Sequence, residues 1–313
     1  MRVSSIVLES INTSSFVCPI SGKSLRLMSP EELSIVNQKI SNGELYFHPG
    51  IQVEISLEQG LITENQTYFY PIVDDIVLLR KDTAVTAKNR TKNPLLRVTQ
   101  QTVEAFYTEF KPLKKGDNSH VGLKQMRSKP LSNEQLSELK GLLPRSGDCF
   151  LSAVTHDVDA LHNLVFNTHF NQYLHIDFSL DRLRAIKAEM KDNTLLILCD
   201  NANLPFAEES IDALFSFDYI NEYDKADQTQ AYQELKRVLK GNGHSVVLYD
   251  KDKPLHAQAQ FKSDQLSKKA LGIVAPWKKK KVPSIYFHPV KTHSNDDTSG
   301  DLYTKTSLGR QFS

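Results

Sequence analysis

The chain has little cysteine, no excess of charge of either sign and no long apolar run. Its cysteines are Cys18, Cys149 and Cys199. They are odd in number and far apart, and two lie in apolar strand-like runs, so buried reduced thiols are expected rather than a disulfide framework. Lys plus Arg number 38 against 37 Asp plus Glu, which excludes a global field that would recruit nucleic acid or an anionic membrane. The one local basic block, Trp277-Lys-Lys-Lys-Lys281, is either a solvated turn or a phosphate-contact patch. Glu9, Asn12 and nearby Ser and Thr residues interrupt the first twenty positions, leaving no apolar block of signal-peptide length. Nothing approaches the ~18 consecutive apolar residues of a membrane span. A soluble, cytoplasmic protein is expected, with no membrane partner and no indication of nucleic acid. Metal chemistry is also unsupported. A zinc knuckle needs a C-x-x-C pair, whereas Cys18 is followed by Ser21; His48 could supply a nitrogen, but a lone His is more often a surface or turn residue, and His156, His162, His175 and His244 show no paired spacing.

What is present divides in three. At 313 residues, 40% of them hydrophobic, the chain suits about two domains with a sizeable core. Residues 1–80 form a small α+β unit, with a helix opening at Pro30 and a hairpin of 60–63 with 67–70 across 64–66. Residues 81–130 read as a linker carrying a helix over 99–110, with Val103, Phe106 and Tyr107 on one side. Residues 131–313 alternate strands and helices. Ser132-Asn-Glu-Gln135 is a capping box opening the first helix. Strands are expected at 148–154, 173–177, 194–198, 211–217, 244–249 and 283–289. Helices are expected at 158–168, 179–190 and 226–240, with one more beyond Pro254. That alternation implies right-handed crossovers and a mainly parallel sheet covered on both faces.

Four segments carry a resemblance. They are His175-Ile-Asp-Phe-Ser179, Cys199-Asp-Asn-Ala-Asn-Leu-Pro-Phe206, Ser210-Ile-Asp-Ala-Leu-Phe-Ser216, and Glu234-Leu-Lys-Arg-Val-Leu-Lys240 with Gly241-Asn-Gly243. In order and spacing they resemble the class I S-adenosylmethionine-dependent methyltransferases of the type 11 kind, whose wording is close to "GIDLS … GDAENLPFPDESFDAVVS … ExxRVLKPGG". The resemblance implies an α/β, Rossmann-like fold with a mostly parallel, seven-stranded-type sheet. At the other end, Val17-Cys-Pro-Ile-Ser-Gly22 and Tyr68-Phe-Tyr-Pro-Ile-Val-Asp-Asp-Ile-Val-Leu-Leu79 resemble the zinc-ribbon-derived activator subunit of tRNA and protein methyltransferases, here without its zinc ligands.

The resemblance implies particular site residues. Asp177 closes the second strand, where a carboxylate accepts from ribose hydroxyls; alternatively it caps the following helix. Phe178 is its neighbour in the same cofactor segment. Asp200 would accept from an adenine amino group, with the Asn201 amide meeting the ring. Ser152 falls where the family's first-strand acid stands. Tyr107 offers a hydroxyl from the helix that caps the pocket in many relatives. After the fourth strand, Asp218, Tyr219, Asn221 and Glu222 are placed to orient an acceptor or take its proton. The family's glycine loop is missing: Phe150-Leu-Ser-Ala-Val-Thr-His-Asp-Val158 contains no glycine, although close backbone approach to the cofactor's methionine part favours residues without a Cβ. Two functions remain open. One is S-adenosylmethionine-dependent methyl transfer to an unknown acceptor, a small molecule or protein being favoured. The other is an inactive methyltransferase-like scaffold, with a protein partner docking through the N-terminal domain.

Overall fold

In a computed structural model, residues 13–88, 100–110, 131–153, 158–190, 193–216, 225–250 and 284–290 are described. The expected helix after Pro254 and the basic block at 277–281 lie outside them.

The N-terminal part opens with strand β1 (Leu25–Leu27), helix α1 (Pro30–Ser41) and strand β2 (Tyr46–Phe47). Ser29 starts α1 with a complete capping box: its hydroxyl accepts from the Glu32 amide, and the Glu32 carboxylate accepts from the Ser29 amide, with Pro30 in the first turn. The expected hairpin forms from β3 (Gln59–Thr63) and β4 (Phe69–Val73), paired antiparallel with Ile62 opposite Phe69. Thr63 Oγ1 accepts from the amides of Thr67 and Tyr68 and closes the turn. Strand β5 (Ile76–Leu78) then folds back on β4 across Asp74-Asp75. Both aspartates have positive φ, 52° and 60°, the backbone of a two-residue hairpin turn that Asp tolerates. Strand β6 (Val85–Thr86) follows. It falls in the stretch expected to be a linker, yet Thr83 to Thr86 are buried; its polar and basic flanks mask a short apolar core.

Helix α2 (Gln100–Phe110) leads to α3 (Asn133–Leu142), which starts at the expected Ser132–Gln135 capping box. The remaining elements are β7 (Ser146–Ala153), α4 (Val158–Val165), β8 (His169–Asp177), α5 (Leu180–Ile186), β9 (Thr194–Leu198), β10 (Ile211–Ser216), α6 (Lys225–Val238), β11 (Leu239–Asp250) and β12 (Ser284–Val290). Strands β9, β8, β7, β10, β11 and β12 are adjacent in that order and all parallel. This is a Rossmann-like α/β arrangement.

The two parts share one sheet. Strand β5 runs parallel to β9, with Ile76 opposite Leu196 and Leu78 opposite Leu198. The sheet therefore continues from β9 through β5 and β4 into β3 and β1. Both faces are covered. One packs Leu151, Leu174, Ile176 and Leu214 with α6 residues Ala231, Tyr232 and Leu235 and with N-terminal Phe16 and Tyr70. The other packs Phe150, Phe215 and Val246 beneath α3 and α4, and Leu196 and Leu198 beneath α5, α2 and α1. Phe106 of α2 is fully buried with its ring 4.7 Å from Phe47, a burial contributing about 2–3 kcal/mol. Gly243 sits where a Cβ would lie 3.0 Å from the Ile211 carbonyl oxygen, at the register shift between β10 and β11. No helix among the described residues is long and apolar enough to cross a membrane.

Candidate functional site

In an open parallel sheet the ligand edge lies beyond the carboxyl ends of the strands, where strand order reverses. Here the reversal falls between β7 and β10. Ala153 ends β7 beside Ser216 at the end of β10. Asp177 ends β8 beside Leu198, the last residue of β9. Because β5 is parallel to β9, its exit, Arg80-Lys81-Asp82, emerges at the same edge.

Asp177 is buried, and its carboxylate is engaged from within the chain. Oδ1 accepts from the Ser179 amide at 2.7 Å and from Arg182 Nε at 3.2 Å and Nη2 at 2.9 Å. Ser179 in turn caps α5 by accepting from the Arg182 amide. The guanidinium carbon of Arg182 lies 4.4 Å from the centre of the Phe178 ring, a cation–π contact. Phe178 is half-buried, and its carbonyl accepts from Arg80 Nη1 at 3.2 Å.

Asp200 follows β9 and is solvent-exposed, and its Oδ1 accepts from the Ala202 amide at 2.8 Å. Although water reaches the carboxyl, the surrounding protein desolvates it and raises its pKa. The Ala202 hydrogen bond and the Lys81 charge oppose that rise, and Asp227 adds to it. Asn201 is fully buried. The loop they belong to is clamped on two sides. Glu234 Oε2 accepts from the Leu204 amide, while Arg237 donates to the carbonyls of Leu204 and Phe206. From the N-terminal part, Val17 donates to the Pro205 carbonyl and the Asn203 side chain donates to the Pro19 carbonyl.

Two other expected cofactor residues have their hydroxyls taken up inside the protein. Ser152 is buried on β7, donating to the Leu174 carbonyl and meeting His175 Nδ1 at 2.8 Å. The Tyr107 hydroxyl donates to the Gln52 carbonyl and accepts from the Glu54 amide, tying α2 to the N-terminal part. Asp218, Tyr219, Asn221 and Glu222 lie outside the described residues, as do 154–157 of the glycine-free loop.

Three further residues stand at the edge that sequence reasoning did not single out. Arg182 reaches Asp177, a pairing a basic residue in the first turn after the strand could have suggested. Arg80 binds Asp82 through two nitrogens and Glu109 at 2.9 Å as well as Phe178. No local signal points to it, since only the β5–β9 pairing brings it there. Ser216 has a buried hydroxyl without a hydrogen-bond partner among the described residues. Among the described residues no group of three His, Cys, Asp or Glu could hold a metal ion. Cys18 Sγ accepts from the Ser21 amide and meets the Tyr70 hydroxyl at 3.1 Å.

Residues 159–247 match the family model described as a methyltransferase domain. The match opens after the glycine-free run, within α4, and ends within β11. No curated protein matches the chain significantly. Among solved structures, the chain is similar to the complex between the Haloferax volcanii Trm112 methyltransferase activator and a candidate methyltransferase. There the identity is 24% over 34% of this chain and 47% of that one, with a TM-score of 0.31. It is similar to a candidate methyltransferase of Bacillus halodurans at 13% identity over 49% of this chain and 64% of that one, TM-score 0.34. A candidate S-adenosyl-L-methionine-dependent methyltransferase of Methanococcus maripaludis matches at 19% identity over 45% of this chain and 64% of that one, TM-score 0.31. In each of these three the chain spans less than two thirds of the matched protein's length. Residues 159–247 thus match a methyltransferase domain, set on a Rossmann-like α/β sheet.

Proposed function

We propose that the chain is an S-adenosylmethionine-dependent methyltransferase that seats the cofactor's nucleoside at the tips of β8 and β9. One observation carries the reading: Asp177 and Asp200 leave the carboxyl ends of adjacent parallel strands, inside the segment that matches the methyltransferase domain. Asp177 is the acceptor for ribose hydroxyls, with Phe178 beside it, and Asp200 with Asn201 addresses the adenine. The Ser216 hydroxyl, without a partner among the described residues and next to Ala153 at the strand-order reversal, is a further polar group suited to this ligand. When bound, S-adenosylmethionine supplies an electrophilic methyl group. The protein's share is mainly alignment of the reacting atoms, with Asp218, Tyr219, Asn221 and Glu222 on the acceptor side. The acceptor is a small molecule or protein.

The N-terminal part is an activator-like unit carried in the same chain. Its β5 lengthens the sheet beside β9, its 17–19 segment braces the Asp200 loop, and a protein partner would dock through this part. A specific observation favours a second reading, the inactive scaffold. Arg182 already pairs with Asp177, and the first-strand run has no glycine.

Calorimetric titration with S-adenosylmethionine and S-adenosylhomocysteine separates the two. The enzyme reading expects binding that Asp200→Ala weakens at least tenfold, about 1.4 kcal/mol. It also expects binding to weaken as pH falls through the raised Asp200 value, because the ionised carboxylate is the stronger acceptor. Absence of heat from a folded sample supports the scaffold.

A further inference from the structure

We infer that Arg182 sets nucleoside affinity at this edge by occupying, from within the chain, both places a nucleoside uses; this rests on the cofactor reading above. Two independent contacts define its position. Its Nε and Nη2 donate to Asp177 Oδ1 at 3.2 and 2.9 Å, and its guanidinium lies over the Phe178 ring at 4.4 Å. A ribose presents paired hydroxyl donors to a carboxylate, and a purine presents a flat face to an aromatic ring. A guanidinium does both, because it is planar, donates through a fork and stacks on aromatic faces. Arg182 is therefore a chemical stand-in for the nucleoside, held on α5 only five residues after Asp177.

Exchange of the two occupants is chemically balanced. The Ser179 amide stays on Asp177 Oδ1 at 2.7 Å and keeps the carboxylate fixed whichever partner is present. The Arg182 side chain is 19% exposed, so the guanidinium has a path to water when ribose hydroxyls replace it. Two consequences follow. The wild-type chain binds nucleosides more weakly than its acidic residues alone would allow. A nucleoside lacking one ribose hydroxyl cannot replace both of the guanidinium's hydrogen bonds and is selected against.

The test is calorimetric titration of S-adenosylhomocysteine into the full chain as wild type, R182Q and R182M, with folding checked by circular dichroism. The expected result is at least tenfold tighter binding by both variants, and a larger ligand-induced rise in melting temperature than in wild type. Should R182M fail to fold, R182Q decides, because its amide keeps one donor for Asp177. Unchanged or weaker binding by a folded variant, with wild type still binding, overturns this inference and leaves the cofactor reading standing. If neither wild type nor folded variants bind, the cofactor reading itself fails and this inference with it.

Discussion

Arg80 offers a quantitative test of how the N-terminal part is joined to the methyltransferase-like part. Its side chain is only 15% exposed and pairs with Asp82 and Glu109, whose side chains are 9% and 21% exposed. A fourth bond goes to the Phe178 carbonyl. Arg80→Met keeps the stem and removes the charge, stranding two carboxylates in a partly dry site. Removing one partner of a buried ion pair costs about 3–5 kcal/mol. The residual exposure of Glu109 puts Arg80→Met at the low end, about 3 kcal/mol. In urea unfolding of the full chain, a slope of ~3 kcal/mol/M makes this a fall of about 1 M in midpoint.

The loss should also depend on pH. Burial raises the Glu109 carboxyl even though Arg80 pulls it down; without Arg80 it rises further. A carboxyl raised in the folded state binds protons more readily there than in the unfolded chain. The variant therefore gains stability relative to wild type as pH falls through that raised value, and the gap between them narrows. A loss below about 1 kcal/mol, or one unchanged between neutral and mildly acidic pH, would refute the idea that a desolvated Arg80 network joins the two parts.

Glu32→Ala removes half of the α1 capping box and the Arg26 pair, one member of which is 45% exposed, so a loss of about 1 kcal/mol is expected. The Glu32 carboxyl is held down at about 2, chiefly by Arg26 and then by the Ser29 amide. The difference from wild type should be full above ~4.3 and vanish as pH falls towards 2 in urea titrations. All three cysteines are buried; desolvation pushes Cys149 up to about 12 and Cys199 well above its ordinary value. A thiol-specific chromogenic reagent should therefore label no site in the native chain and all three in denaturant, and rapid native labelling would contradict the packing.

Elements with a strong local period were legible in the sequence. The strand expected at 283–289 is Ser284–Val290, the helix at 226–240 is Lys225–Val238, and the capping box at Ser132 stands where its residue types place it. The expected helix 179–190 stops at Ile186, where the Ile186 carbonyl accepts from the amides of both Glu189 and Met190. What stayed hidden was long-range. Pairing of Ile76–Leu78 with Thr194–Leu198 joins segments more than a hundred residues apart, and nothing local records it. The positions gathered at the proposed site were half legible for the same reason. Asp177 and Asp200 follow from strand ends, whereas Arg80 depends on that pairing. Arg182 depends on its side chain lying over the Phe178 ring, which no local pattern records. Ser152 and Tyr107 carry the right functional groups, but their hydroxyls meet protein partners that only the folded register supplies.

A crystal structure of the full chain grown with S-adenosylhomocysteine tests the central claim most directly. The ribose hydroxyls are expected within hydrogen-bond distance of Asp177, the adenine beside Asp200 and Asn201, and the Arg182 guanidinium displaced from Phe178. A nucleoside bound elsewhere, or an Arg182–Asp177 pair left intact in crystals saturated with ligand, would contradict it.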